Sequence, residues 1–417
     1  MLQDALTTLG LLRAAVASSR HAPARLRRTQ ETSLARLLAH AYDRVPLYRR
    51  LYDEAGFHPS SFRTLDDLER IPRLTKSRLR ATPPEDAVAA GTDLAQCTTV
   101  STSGSTGMPL QLRLGRFERC WHRAVAWRVL FEHGYRWTDR TLEIRMKRGA
   151  SYAVQRFGVA AKDWVSILAP PESWVELLAR RRHDVVIAGA GTLHDLAVAA
   201  AATRLPIRPP RLIVSDSETL TPATRRLVRE TLGTDPVDVY GLVEVSDFAW
   251  QCERRAGFHV SAASHVVEVD AAPGRPGPLV VTALGMRTTP IIRYETGDLA
   301  EMSTEACGCG RGLPLLARLH GRAVESLALP DGGRLRWPVF HELLGERADV
   351  ARWQVVQHDP LTIVVRVVPM RPCAGTIPAV QAALRTALPA EVAIRVEAVD
   401  AIPRAANGKQ RLVVPAP

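Results

Sequence analysis

DVVIAGAGTLHDLAVAAAATRLPIRPPRLIVSDSETLTPATRRLVRETLGTDPVDVY, residues 184–240, is the stretch whose reading decides the fold. Residues 184–188 form a short apolar run of strand character, 192–203 a helix, and 211–215 a second strand. Thr221 stands as an N-cap with Pro222 in the first turn, and Gly233 lies just past the helix end. Residues 236–240 make a third strand. Strand, helix, strand, helix, strand implies parallel pairing through right-handed crossovers. Ligands of such sheets bind beyond the carboxyl ends of the strands. Those ends carry Gly189, the run Ser215-Asp216-Ser217-Glu218, and the turn Tyr240-Gly241.

Working outward, the first 90 residues read as polar helices. Leu34, Leu37, Leu38 and Ala41 keep amphipathic spacing, and Pro46 ends that helix. Downstream, residues 279–302 alternate as antiparallel strands. After Arg322 the character changes: 353–368 is a hairpin turning at Asp359-Pro360, 377–388 a helix and 392–399 a strand. The expected fold class is α/β. A large N-terminal domain (1–322, helical over about 1–90) holds a doubly wound, mostly parallel sheet plus antiparallel strands. A small mobile α+β domain (323–417) follows, of ordinary size for a domain.

Composition narrows the function classes. The 417 residues are 46% hydrophobic and 24% charged, the balance of a soluble globular protein. No stretch reaches the roughly 18–20 apolar residues that span a bilayer, since 185–203 is interrupted by His194 and Asp195. The N-terminus has no basic n-region, and Arg13 breaks its apolar run, so a cytoplasmic protein without a membrane partner is expected. The net charge is +12, yet of 55 basic residues only Lys76, Lys147, Lys162 and Lys409 are lysines. The arginines are scattered, with small clusters at Arg25, Arg27 and Arg28 and at Arg180 to Arg182. A nucleic-acid footprint gathers into a stripe with interleaved aromatics, so no nucleic-acid partner is expected. Where arginine supplies nearly all positive charge, a retained lysine is a candidate for chemistry that needs a compact ammonium.

Ser101-Thr102-Ser103-Gly104-Ser105-Thr106-Gly107-Met108-Pro109 follows an expected strand at 97–100. Hydroxyls and bare backbone N–H groups at this density suit a polyphosphate, because glycine lets the backbone approach the oxygens. A flexible surface loop is the other reading of such a run. It is not a Walker loop, since no Gly-Lys-Ser/Thr follows. Further motifs come in order: Tyr240-Gly241-Leu242-Val243-Glu244, Ile292-Arg293-Tyr294-Glu295-Thr296-Gly297-Asp298, Gly321-Arg322, and Ile402-Pro403-Arg404-Ala405-Ala406-Asn407-Gly408-Lys409.

In this order the motifs resemble the adenylate-forming superfamily of acyl-CoA synthetases, luciferases and peptide-synthetase adenylation domains. The phenylacetate–CoA ligase branch is the nearest likeness. Residues 39–55 (AHAYDRVPLYRRLYDEA) resemble that branch's N-terminal segment, so nearly the whole chain is covered. The resemblance implies ATP- and Mg²⁺-dependent activation of an aryl carboxylic acid as an acyl-adenylate, followed by transfer to coenzyme A. It assigns the β- and γ-phosphates to Thr102, Ser103, Gly104, Ser105, Thr106 and Gly107. Asp216, Ser217 and Glu218 would line the adenine pocket, with Tyr240 and Gly241 against the base. Glu244 would hold Mg²⁺, a hard cation that takes carboxylate oxygen. Asp298 would accept the ribose hydroxyls, Arg322 would sit by the phosphate at the domain junction, and Lys409 would bridge the acid and the α-phosphate. Taken singly, each of these has an ordinary structural reading: a core aromatic, a solvated acid, a turn residue, a surface lysine.

The chain departs from the pattern at three places. Leu110 ends the phosphate loop where many superfamily members carry lysine, Val243 replaces Thr or Ser before the glutamate, and Val324-Glu325 replaces an acidic pair after Gly321-Arg322. These keep other acceptors open: an amine, a carrier-protein thiol or nitrite. A non-catalytic binding protein that kept the fold is the alternative class, and Lys409, Glu244 and Asp298 speak against it. The acid pocket is expected between the helix around 120–133 and the Tyr240 turn, with Tyr135, Trp137 and Met146 as linings. A homodimer is an admissible assembly.

Cys252, His259, Cys307 and Cys309 form the second constellation. Three thiolates and an imidazole are a closed tetrahedral zinc set, structural because no coordination position remains open. Similar sites occur in the branch that the chain resembles. His265 is the reserve ligand, and ordinary buried cysteines are the competing reading.

Overall fold

The computed structural model describes residues 2–101, 110–149, 153–322, 326–345, 347–370, 375–403 and 412–414. The chain forms two compact units, Met1–Gly134 with Val239–Leu319, and Tyr135–Asp238 with His320–Pro417.

The first unit opens on helices Leu2–Ser18, Pro23–Arg44 and Pro46–Glu54. Leu34, Leu37, Leu38 and Ala41 are at most 3% exposed, so the amphipathic face read from the sequence is the buried one. The helix stops at Arg44. Val45 ahead of the proline is extended (φ −118°, ψ 109°), as the steric demand of a following proline requires. Pro46 then starts the next helix, whose preset φ suits a first turn. Tyr48 on that helix donates to Pro290 O at 2.9 Å and accepts from Ile292 N at 2.9 Å. One hydroxyl thus pins the helical segment to the strand Ile291–Met302.

The strands of this unit run in the order His265–Val269, Pro276–Ala283, Ile291–Met302, Leu315–Arg322, Phe258–Val260, Ser246–Gln251, and then the distal half of Val237–Leu242. The pair 276–283 and 291–302 is antiparallel, as its alternation predicts. A separate antiparallel pair, Thr98–Ser101 with Gln111–Leu114, places Ser101 opposite Gln111.

The second unit contains the parallel sheet. Strands Val185–Gly189 and Leu212–Asp216 and the start of Val237–Leu242 pair in parallel, and Thr141–Arg145 and Lys162–Ser166 extend the sheet beyond Val185–Gly189. Helices Ala190–Thr203 and Pro222–Leu232 make the crossovers. Thr221 Oγ1 accepts from Thr224 N at 3.2 Å, and Gly233 adopts φ 72° at the C-terminal end. Later in the same unit a four-stranded sheet is ordered Ala393–Ala398, Thr362–Pro369, Val350–Asp359, Val413–Val414. The central pair is the expected hairpin, and Thr376–Arg385 is the expected helix. Arg352 on this sheet reaches Asp195 on the helix Ala190–Thr203 at 2.8 Å. Among the described residues no helix is long and apolar enough to cross a membrane.

Gly233 offers a check on the helix end. A Cβ there would stand 2.9 Å from Pro209 Cγ, on a backbone that L-residues rarely adopt. Gly233→Ala is expected to cost about 1–2 kcal/mol, the left-handed penalty for a residue with a Cβ. Urea unfolding should show a lower midpoint at unchanged slope.

Candidate functional site

Glu244 follows the end of Val237–Leu242, yet it is only 4% exposed. A carboxylate so far from water needs charge or hydrogen-bond compensation. Tyr294 OH donates to Glu244 Oε1 at 3.0 Å, and Lys76 Nζ lies 3.4 Å from the same oxygen. The backbone arranges this meeting. Leu74 forms a bridge to Tyr294, donating its N–H to Arg293 O and accepting from Glu295 N, both at 3.0 Å. The next residue, Thr75, caps the short helix Lys76–Ala81, and Lys76 leads it. Sequence reasoning left Lys76 without a role, although the scarcity of lysine was a usable signal. Tyr294 lay inside a recognised motif but carried no assignment. Val243, beside the glutamate, is 45% exposed.

Tyr240 donates to Asp298 Oδ2 at 2.7 Å and meets Phe248 edge-on, with ring centroids 5.2 Å apart. Asp298 is 8% exposed, and its N–H donates to Thr296 Oγ1 at 3.0 Å. The two residues singled out separately for base and ribose are therefore hydrogen-bonded partners. Gly241 lets the strand turn here. A Cβ would lie 2.6 Å from Asp247 Cα and 2.7 Å from Ser246 O, so no larger residue fits without moving the turn.

In the second unit, Arg145 Nη1 donates to Asp216 Oδ1 at 2.6 Å, and its other amino group bonds Oδ2, a bidentate clamp. Ser217 adopts φ 66° and donates to Asp216 Oδ1 at 2.9 Å. Glu218 Oε2 accepts from Gly191 N at 2.9 Å, capping the first turn of Ala190–Thr203. A Cβ at Gly189 would come within 2.9 Å of that carboxylate. Arg322 ends the strand Leu315–Arg322. Tyr135 and Trp137 meet edge-on at 6.3 Å. In the first unit, Cys120 Sγ lies 3.5 Å from Asp4 O, so that part of the helix Arg116–Glu132 faces the N-terminal helix. Thr102 to Gly107 and Lys409 lie outside the described residues.

The four proposed zinc ligands come together. Cys252, His259, Cys307 and Cys309 bring their donor atoms within 4.8 Å of one another. Cys252 Sγ and Cys307 Sγ are 3.6 Å apart, and Cys309 Sγ is 3.3 Å from His259 Nε2. Metal–sulfur bonds of about 2.3 Å and metal–nitrogen bonds of about 2.0 Å set tetrahedral neighbours roughly 3.5–3.8 Å apart, so the set fits one ion. A disulfide would need about 2.05 Å, and all these cysteines are free. Burial pushes the Cys252 thiol up to about 11 and drives His259 down to about 4, keeping the imidazole neutral. For Cys309, burial pulls upward, but hydrogen bonds from Arg311 and its neighbours outweigh it and lower the thiol. Arg311 also bonds Glu132 at 3.2 Å and Glu253 at 3.0 Å, and lies 5.3 Å above the Trp250 ring. His265, the reserve ligand, is committed elsewhere: its nitrogens meet Val245 O at 2.9 Å and Ser264 Oγ at 3.0 Å.

The arginine clusters are partly spent in ion pairs. Arg180 meets Glu176 at 3.1 Å, Arg181 meets Asp163 at 3.3 Å, Arg182 meets Asp184 at 2.7 Å, and Arg27 meets Asp66 at 2.6 Å.

No protein-family model matches the sequence. A phenylacetate-coenzyme A ligase of Thermus thermophilus is 31% identical over 328 residues, 73% of this chain and 72% of that protein. One of Escherichia coli is 27% identical over 333 residues, with the same coverage. Among solved structures, a 2-hydroxyisobutyryl-CoA ligase in the postadenylation state, in complex with 2-HIB-AMP, is similar at a TM-score of 0.78 with 21% identity. That match covers 95% of this chain and 91% of the other. At that identity the likeness is one of fold.

Proposed function

The chain belongs to the phenylacetate–coenzyme A ligase family of adenylate-forming enzymes, and from that premise we propose that it activates an aryl carboxylic acid with ATP and passes the acyl group to coenzyme A. In the first step a carboxylate oxygen attacks the α-phosphorus, the bond to the β-phosphate breaks, and pyrophosphate leaves with the bonding pair. In the second, the coenzyme A sulfur attacks the acyl carbon, AMP departs and the thiol proton passes to solvent. The single observation that carries the reading is the buried Glu244 carboxylate, faced by Lys76 and bonded by Tyr294. One carboxylate together with substrate phosphates is how Mg²⁺ is usually held. A bound Mg²⁺ would neutralise phosphate charge there, while Tyr294 orients the carboxylate.

The other roles follow the family reading. Tyr240 and Gly241 serve the base and Asp298 the ribose, the Tyr240 hydroxyl holding the Asp298 carboxylate in place. Asp216, Ser217 and Glu218 are assigned to the adenine, Thr102 to Gly107 to the phosphates, and Arg322 to the junction ahead of a small lid domain at 323–417. That lid carries Lys409, whose ammonium would neutralise the carboxylate and α-phosphate as they join. Cys252, His259, Cys307 and Cys309 are proposed as a structural zinc site, tying the connection after Ser246–Gln251 to the one after Ile291–Met302.

Pyrophosphate release and thioester formation, followed with a panel of acids with and without coenzyme A, test the reading. Aryl acids are expected to outperform acetate and palmitate, with thioester formed only when coenzyme A is present. Turnover of acetate or palmitate with none for aryl acids overturns the substrate class. Pyrophosphate release without thioester moves the acceptor to an amine, carrier thiol or nitrite.

Elemental analysis should find about one zinc per chain, retained against chelators until the protein unfolds, as closed structural sites behave. Metal-free protein with Cys252, Cys307 and Cys309 all titratable in the folded state would rule the site out.

Lys409→Ala is expected to slow adenylation on the order of 10²–10³-fold, the scale of losing one preorganised donor. Transfer from preformed adenylate should change far less. Stopped-flow measurement of each half-reaction decides it, with Lys147 and Lys162 variants as controls. Lys76 cannot serve as one, because of where it lies.

A further inference from the structure

We propose that Lys76 is a nucleotide-binding residue, supplying the β- and γ-phosphates of ATP with the ammonium that the phosphate loop lacks. This rests on the adenylate-forming reading above. Residues 101–110 (STSGSTGMPL) contain no lysine or arginine, and Leu110, at its end, is 3% exposed. Mg²⁺ leaves an ATP tetraanion with two uncompensated charges, which a cation from another segment would offset. Among the described residues, Lys76 is the basic residue placed against Glu244.

The geometry of the pair favours a mobile partner over a fixed strut. At 3.4 Å the contact is longer than the roughly 2.7–2.9 Å of a tight charged hydrogen bond. Tyr294 already bonds the same Glu244 oxygen at 3.0 Å. The Lys76 side chain is 31% exposed while that of Glu244 is 5% exposed, so the ammonium comes from the open side of a buried carboxylate. If Glu244 engages a divalent cation, the ammonium is repelled from it, and the nearest new anion is the polyphosphate that arrives with the metal.

Residue choice points the same way. Lysine carries a compact charge on a flexible stem, whereas arginine tends to lock a carboxylate in a two-pronged clamp. In a chain where 55 basic residues include only four lysines, one of the four occupies this place. Helix stability does not account for it. Lys76 begins the helix Lys76–Ala81, and a positive charge in a first turn opposes the helix dipole. An ordinary surface ion pair adds little to stability and would need no lysine. During adenylation, the bond from the α-phosphorus to the β-phosphate oxygen breaks and its electron pair stays with pyrophosphate. Lys76 stabilises that growing charge and keeps its own proton.

The test is calorimetric titration of the full-length protein, with Mg²⁺ present, using α,β-methylene-ATP and AMP as probes. Wild type should bind both. Lys76→Met should weaken α,β-methylene-ATP about 10–100-fold, the scale of one hydrogen bond to a charged group, and leave AMP within roughly twofold. Adenylation should fall in parallel, while coenzyme A transfer from preformed acyl-adenylate is retained. Lys76→Gln keeps a donor to Glu244 without the charge and should show the same split, which covers a folding failure of the Met variant. Lys162→Met, removing a 3.1 Å pair with Glu143, should alter neither titration. Equal weakening of both nucleotides would make Lys76 a structural partner of Glu244, and no weakening would make it a bystander; either overturns the proposal. A wild-type protein that binds neither nucleotide overturns the adenylate-forming reading itself.

Discussion

A carboxylate removed from water must be matched, and matching Glu244 organises much of the first unit. Its partners come from distant parts of the chain. Tyr294 lies on the long strand Ile291–Met302, and Lys76 begins a six-residue helix. To bring Lys76 there, Leu74 is hydrogen-bonded along that strand on both its N–H and its C=O. Just beyond the same glutamate, Val245 and Phe248 are fully buried, and His265 Nε2 donates to Val245 O. One buried charge thus fixes the register of a strand, the start of a helix and the course of a turn. Leaving it with no partner at all would cost several kcal/mol; Tyr294 supplies the shorter contact and Lys76 the longer one.

The parallel sheet was readable because its signals are local. Thr221, Pro222 and Gly233 mark one helix within a dozen residues, and the apolar runs at 184–188 and 211–215 need no knowledge of their neighbours. The structure places that helix at Pro222–Leu232, with Thr221 and Gly233 as its caps. Pro46 was read as a stop because proline cannot continue a helix; it also starts one, and only the extended Val45 separates the two. Lys76 was not readable as a site residue. It stands 168 residues from Glu244, and nothing within its own segment announces the meeting. His265 and His259 could not be ranked by spacing alone. What separates them is where each ring nitrogen points, a property of strand register and not of composition.

Charge tells a similar story. A net +12 suggests a polyanion partner, yet Arg180, Arg181 and Arg182 are each paired with a carboxylate. Arginine is suited to this, since its planar fork can hold two oxygens at once, as Arg145 holds Asp216. Those carboxylates are already counted in the net +12, so pairing leaves the total unchanged and instead breaks up the local concentration of positive charge at the cluster. Asp216 itself, at the carboxyl end of its strand, closes an ion pair with Arg145 at the end of Thr141–Arg145.

If the cysteine cluster holds a metal, as proposed, the protein's history matters. Gly312 N donates to Ser19 O at 3.2 Å, three residues beyond Cys309, so the cysteine connection is stitched to the end of the N-terminal helix. The sulfurs of Cys307 on this connection and of Cys252 are 3.6 Å apart, a short excursion from covalent contact. A chain that closes around a metal before meeting an oxidant and one that meets the oxidant first would settle into different bonded states. Thiol oxidation and metal capture draw on the same lone pairs. Refolding would then show hysteresis, with the yield set by the order of mixing and not by the final conditions alone.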